Sequence, residues 1–334
     1  MLMGTFNILT TNDDAKWNEL LSILPIDQQD IYFSPEYYKL YEALNDGKAK
    51  CFVFQKDNAI IMYPFLLNSV NCLGYDLDKD YYDIQGAYGY NGIISSTKAE
   101  NILNEYRETF ATYCKENNLI AEFTRFHPLL KNERYTNNCM TVIKDRETVF
   151  IDLTKAYADI WKSEYASNNR NMIRKAVKLG YKIEILESPE DKDLNIFTDI
   201  YYYSMKMANA DEYYFFDKKY FRNIFKYLKG NAYLFNVLDN ESNIVCSSIF
   251  LRYGDYFHYH LSGRNHKADN SINNFLIDRA VDFAQNTGAK YFHLGGGRST
   301  NADDSLLKFK NSFSKKVLQF HIGKKIYKDR KSVV

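Results

Sequence analysis

Twice along this chain the residues run in the same order, an antiparallel set of strands, then a strand-helix-strand segment, and that repetition constrains the fold more than any other feature. In the first half, Cys51 to Phe54 and Ala59 to Leu67 are β-rich runs separated by the turn residues Lys-Asp-Asn, which predicts a hairpin. A polar, Tyr- and Gly-rich stretch from Tyr75 to Gly92 reads as a loop. Lys98 to Asn117 then carries Ile102, Leu103, Tyr106, Phe110 and Tyr113 at helical spacing, and Leu119 to Phe126 reads as a strand closed by His127-Pro128. In the second half, Ala232 to Leu238 and Ile244 to Leu251 flank a turn, and Tyr256 to Leu261 adds a strand. A helix from about Ser271 to Asn286 stops at Thr287-Gly288 before the strand Tyr291 to Leu294. A helical crossover between strands forces a parallel pair with a right-handed connection. The expected fold is therefore α/β with two similar mixed sheets flanked by helices, in domains 1–148 and 149–334. The boundary falls near Lys144 to Phe150, just ahead of a helix predicted over Thr154 to Leu179.

Composition narrows the function. Lys and Arg total 43 against 42 for Asp and Glu, a formal net charge of +1, so no whole-molecule field draws the chain onto DNA or an anionic surface. The five cysteines form no CxxC pair and no metal-ligand cluster, which predicts neither a disulfide framework nor a metal site and fits a reducing cytoplasm. The N-terminus lacks a basic start and an apolar core. The longest apolar run, Ala59 to Leu67, falls far short of the ~20 residues a bilayer needs, so neither export nor a transmembrane segment is expected. Aromatic residues reach 16%, with 29 Tyr and 23 Phe, which reads either as stacking pockets or as drift towards an AT-rich genome.

Three segments could carry chemistry. A predicted strand ends in Gly295-Gly296-Gly297-Arg298, which lets main chain approach a ligand closely and could form an anion-binding nest; a flexible turn is the equal alternative. Neither a Walker nor a dinucleotide-binding pattern is present, which removes the main support for kinase and dehydrogenase readings. Arg170, Arg174 and Lys178 repeat at i, i+4 and i+8, so they line one helix face, either as a phosphate track or as a solvated stripe. His258 and His260 share one face of a strand, as a candidate general base, half a metal site or a buried pair.

In this order the motifs resemble the FemAB-like branch of the GNAT acyltransferase superfamily, whose members carry two GNAT-type domains. The residues that carry the resemblance are Tyr88-Gly-Tyr90-Asn-Gly92 and Arg125-Phe-His-Pro128, then Arg170-Asn-Met-Ile-Arg174-Lys-Ala176, Met205 through Tyr214-Phe215 and Ser262-Gly263. Most specific is Leu294-Gly-Gly-Gly297 followed by Ser305-Leu306 and Phe309-Lys310. The resemblance implies an N-acyltransferase of cell-envelope biogenesis, one that moves an acyl group by direct attack to an amine of a peptidoglycan or amino-sugar precursor. Such an acceptor would be a small molecule, nucleotide-linked or lipid-linked. The first domain would then hold the acceptor, and the substrate-binding residues would be Tyr88 and Tyr90 there with Arg170, Arg174 and Tyr214 of the second domain.

Phe309 and Lys310 would lie at the reaction centre, with Lys310 neutralising phosphate or the oxyanion. The donor would enter where the strands of Tyr259 and of Leu294 splay, against Tyr259, Leu261, Gly263 and the Gly295 to Arg298 turn. No permanently bound cofactor is implied. The family's R/Q-x-x-G-x-G/A pyrophosphate turn is replaced by Arg264-Asn-His-Lys-Ala-Asp-Asn-Ser271, with no glycine after Gly263, so the cosubstrate is acyl-CoA or aminoacyl-tRNA. The near-zero charge weighs against tRNA, because the basic clusters are confined to Arg170 to Lys178 and the tail Lys324-Lys325 to Lys331. A non-catalytic binding protein of a surface-polysaccharide pathway, with its donor pocket blocked, is the reading from a different class.

Overall fold

The computed structural model describes residues 4–266, 268–301 and 303–327; Lys331 of the basic tail and Lys267 of the expected pyrophosphate turn lie outside them. The chain divides into two compact units, one made of residues up to Arg146 and from Gln319 on, the other of Glu147–Leu318.

The first unit opens with β1 (Thr5–Thr10), α1 (Asp14–Ile23) and α2 (Pro35–Glu42). Ser34 caps α2 by accepting from Tyr37 N–H, with Pro35 at the first helical position, where a missing N–H costs nothing. The predicted hairpin is β2 (Lys48–Lys56) and β3 (Ala59–Ser69), with β1 antiparallel to β2. The stretch expected to be a loop contains β4 (Tyr82–Gln85), while β5 (Ile94–Ser95) pairs with β3. Four residues give too short an alternation to be read from sequence. β4 exists because it bonds β3 on one side and, in parallel, β6 (Leu119–Arg125) on the other. Between them runs α3 (Glu100–Glu116), whose Leu103, Tyr106, Phe110 and Tyr113 bury against Phe52, Phe54, Tyr63 and Phe65. Much of the aromatic excess is spent here. The Phe110 ring alone lies 5.0 to 6.4 Å from five other aromatic rings, those of Phe52, Tyr63, Phe65, Tyr106 and Tyr113. Burial of each such side chain contributes about 1.5–3 kcal/mol.

The chain passes to the second unit within β7 (Thr141–Asp152). A short turn, α4 (Tyr157–Asp159), continues as a π-helical turn, Ile160–Glu164, and α5 (Ser167–Lys178) follows. The single helix expected over Thr154 to Leu179 is therefore broken. Tyr165 and Ala166 are extended, with ψ of 128° and 149°. The break buries the Tyr165 ring and lets Ala166 N–H reach the Ser312 carbonyl, a tertiary bond that overrides helical periodicity.

The remainder is β8 (Lys182–Leu186), α6 (Asp191–Met207), α7 (Lys218–Tyr227), β9 (Ala232–Leu238), β10 (Ile244–Tyr253), β11 (Tyr256–Arg264), α8 (Ile272–Asn286), β12 (Tyr291–Gly296) and α9 (Ser305–Asn311). The sheet order is β7-β12-β11-β10-β9-β8, antiparallel except for the predicted parallel pair β11 and β12. Helices α5 and α8 cover one face, over a core that includes Ile173, Phe250, Phe257, Leu276, Ala280 and Phe292. Helices α6 and α7 lie on the other. The last strand, β13 (Val317–Ile326), starts in the second unit and ends in the first, where Ile322–Ile326 pairs antiparallel with β6. Among the described residues no helix is long and apolar enough to cross a membrane.

Candidate active site

The parallel register of β11 and β12 runs through Tyr256, Phe257 and His258 opposite Tyr291, Phe292 and His293, and ends there. Just past that point both strands slip register against their outer neighbours, β11 at His260 and β12 at Leu294. Bulges bend a strand and re-aim its side chains, so β11 and β12 part at a defined place. Gly295, with φ of 76°, takes a conformation on β12 that a side chain would resist.

Lys310 of α9 reaches into this opening. Its Nζ donates to the Gly296 carbonyl on β12 at 2.7 Å and lies 6.0 Å from the ring centre of Tyr259 on β11. Only 7% of Lys310 is exposed, and desolvation lowers its ammonium pKa to about 7, against a weaker upward pull from the Asp304 carboxylate. A largely buried lysine whose hydrogen bond goes to a carbonyl is poised to gain from an arriving negative charge. Phe309 packs on the same core, edge-on to Phe313 at 5.3 Å. Tyr259 shares that face; burial raises its phenol pKa far above the usual range.

The two histidines fall on the other face of the sheet. The His258 ring is buried, edge-on to His293 at 5.8 Å. His260 approaches the Tyr220 hydroxyl of α7 at 3.4 Å, and burial, helped by His258, drops its pKa to about 3. His260 is thus a neutral imidazole at working pH, poorly matched to take a proton from an amine. The structure separates the expected catalytic set into Phe309 and Lys310 on the α8 and α9 side and His258 and His260 on the α6 and α7 side.

The expected nest at Gly295 to Arg298 already holds an anion from the chain itself. Asp304, the N-cap of α9, accepts from Leu307 N–H at 2.9 Å and from the main-chain N–H groups of Arg298 and Ser299 at 3.0 Å each. Burial pushes its carboxyl pKa up, but these donors outweigh that and leave it lowered. The carboxylate also lies 2.6 Å from where a side chain at Gly297 would begin, which explains that glycine. Gly263 is explained by packing too, since a Cβ there would meet Ile200 O and Tyr201 Cα of α6 at 2.7 Å; Leu261 is buried next to it.

At the start of α8, where the resemblance implies a pyrophosphate, Asp269 accepts from Ser271 N–H and Oγ at 2.9 and 2.6 Å and from Lys175 Nζ at 2.7 Å. The lysine bond first, then the two from Ser271, lower its carboxyl pKa to about 2. Neither Asp269 nor Asp304 stood out in the sequence, although an Asp before an apolar helical run is a recognisable cap.

Arg170 serves the helix break, its Nη1 donating to the carbonyls of Tyr165 and, at 3.3 Å, Trp161. Arg174 is exposed, with its guanidinium 5.5 Å from the Trp161 ring centre. Tyr214 offers its carbonyl to the Tyr201 hydroxyl. In the first unit the Tyr88 carbonyl accepts from Tyr37 at 2.6 Å, and the Tyr90 ring lies against His127 and Tyr32 at 5.0 and 5.3 Å. His127 is tied in turn to Asp30 at 2.8 Å, and Leu130 N–H donates to its Nδ1, so Nε2 carries the proton that Asp30 accepts. This buried pair was not read from the sequence.

A strand pair that parts beside a bulge, with a crossover helix between, is the architecture of an acyl-transfer domain, and residues 163–309 match the acetyltransferase (GNAT) domain family. That match and the sheet described above give the second unit a GNAT-type fold. The whole chain is similar in fold to the crystal structure of FemX, at 13% identity over 96% of each chain with a TM-score of 0.71. It is similar as well to the C-terminal domain of a putative lysylphosphatidylglycerol synthetase from Agrobacterium fabrum, at 12% identity over 97% of this chain and 95% of that one, with a TM-score of 0.57. A tandem GNAT protein from the clavulanic acid biosynthesis pathway shares 7% identity over 98% and 99%, with a TM-score of 0.54. No curated protein matches the chain.

Proposed function

We propose that the protein transfers an acyl group to an amine of a cell-envelope precursor in the cytoplasm, with Lys310 at the reaction centre. The observation behind this is the buried Lys310 Nζ in the opening between β11 and β12. The acceptor nitrogen attacks the acyl carbon directly; the C–N bond forms, the bond to the leaving sulfur or oxygen breaks, the nitrogen gives up a proton and the leaving group takes one up. In the tetrahedral intermediate the former carbonyl oxygen carries the negative charge. The buried ammonium of Lys310 is destabilised before that charge arrives and stabilised by it, the differential interaction that speeds a reaction. The second unit takes the donor and the first unit the acceptor.

Acyl-CoA is the donor in this reading, as it is for GNAT enzymes. One observation favours aminoacyl-tRNA instead: Asp269 already sets a carboxylate at the start of α8, where a pyrophosphate would need the helix dipole and N–H groups. Thermal-shift titrations with acetyl-CoA and CoA, on wild type and Asp269→Asn, separate the two. A ligand that binds only the native state raises the melting temperature. The acyl-CoA reading expects a shift in wild type that grows in the variant, and silence in both proteins overturns it.

A further inference from the structure

On the second unit, the turn before α5, α5 itself and α8 enclose an open groove lined by Trp161, Lys162, Arg174, Val177, Lys178 and Arg279, among others. Two chemistries meet there. Lys162, Arg174 and Lys178 are exposed cations, and of the nearby carboxylates only exposed Asp159, whose charge acts on Lys155, is not held by a partner or set beyond Arg279. Glu164 is held by Lys155, Asp269 by Lys175, and buried Asp278 by Tyr157 and Arg279. Asp282 acts on Tyr157 and Arg279, which confines the uncompensated charge to the Trp161, Arg174 and Lys178 end. Beside these cations stand apolar groups the core does not take. Ile173 and Ala176 of α5 are buried, yet Val177 is 56% exposed, and Leu179 just past the helix is 41% exposed.

We propose that this face docks on an anionic phospholipid bilayer, with Arg174, Lys178 and Lys162 on lipid phosphates and Val177 and Trp161 at the headgroup boundary. A basic helix face with protruding aliphatic side chains, beside a half-buried indole, suits an interface that is charged outside and apolar within. Lysine and arginine stems lie along the apolar layer while their heads stay wet. A nucleic acid would satisfy the cations but leave the aliphatic groups unused, and the +1 net charge lacks the broad basic footprint it requires. Three cations at about 1 kcal/mol each give weak, reversible attachment, suited to a soluble domain that meets a lipid-linked acceptor. Only that last link rests on the acyl-transfer reading, because the test reads binding and needs no turnover.

The test is co-sedimentation of the full chain with vesicles of phosphatidylcholine, alone or mixed with phosphatidylglycerol. Wild type should pellet only with the anionic vesicles, and added salt should release it. Arg174→Gln and Lys178→Gln should each weaken binding about five-fold, and Val177→Ser should weaken it without changing the salt dependence. Lys226→Gln, at an exposed position of α7 on the opposite face of the sheet, should bind as wild type does, and unchanged melting curves would establish that each variant is folded. Absence of binding, equal binding to both vesicles, or an equal loss in Lys226→Gln overturns the proposal. Retention of a single-stranded RNA oligonucleotide that depends on Arg174, without vesicle binding, overturns it in favour of a nucleic-acid partner.

Discussion

Lys310 combines two properties that pull against each other, a positive charge and a dry setting, and that tension can be measured in two ways. Lys310→Met should lower kcat/KM by about 10²–10³, the range found when one oxyanion donor is removed, once the donor has been identified. The same substitution should stabilise the fold at neutral pH and below. The lysine pKa is about 7 folded and near 10.4 unfolded, so between those values the unfolded chain binds more protons and wild-type stability rises with pH. The stability gap between variant and wild type is therefore widest below pH 7 and closes as pH approaches about 10.4; denaturation series at pH 6 and pH 10 check it. A gap independent of pH would mean that Lys310 is already paired. Phe309 was legible only through the resemblance, whereas Lys310 also stood out as a cation close after the glycine turn. What sequence could not show is that His258 and His260 occupy the opposite face, because strand alternation places them relative to each other and not relative to α9.

At the level of elements, periodicity located nearly everything whose partner lies close in sequence. The hairpin of β2 and β3, α3, α8 and the parallel β11 and β12 were all legible for that reason. Elements defined by distant bonds were not. Four-residue β4 depends on β3 and β6, and the interruption before α5 depends on Ser312 in a turn far along the chain. Arg170 shows the consequence, since a residue that looked like part of a phosphate track spends its guanidinium on the carbonyls of that interruption. Arg170→Ala should cost about 1–2 kcal/mol, the range for charge-assisted hydrogen bonds partly replaced by water. Urea denaturation would check this, and loss of ligand affinity with unchanged stability would return Arg170 to the binding surface.

For the molecule as a whole, the balanced charge and scattered cysteines were informative mainly by exclusion, and among the described residues all five cysteines are free. The aromatic excess has a structural use in the first unit's core, where rings close the gap between α3 and the sheet. That unit also relies on its last strand: β13 pairs with β6, and the Tyr327 hydroxyl, with that of Tyr63, donates to buried Glu122. A chain ended at Leu318 should therefore lose protection in its first 146 residues while Glu147–Leu318 stays resistant, as limited proteolysis would show; an equally resistant first unit would contradict this.

The second unit is thus an insertion within the first. As the chain leaves the ribosome, the unit begun earliest has to wait, its sheet edge at β6 unclosed, until the whole of the later one has been made. The order of synthesis and the order of completion are reversed, and β6 is the edge most exposed to mispairing in the interval.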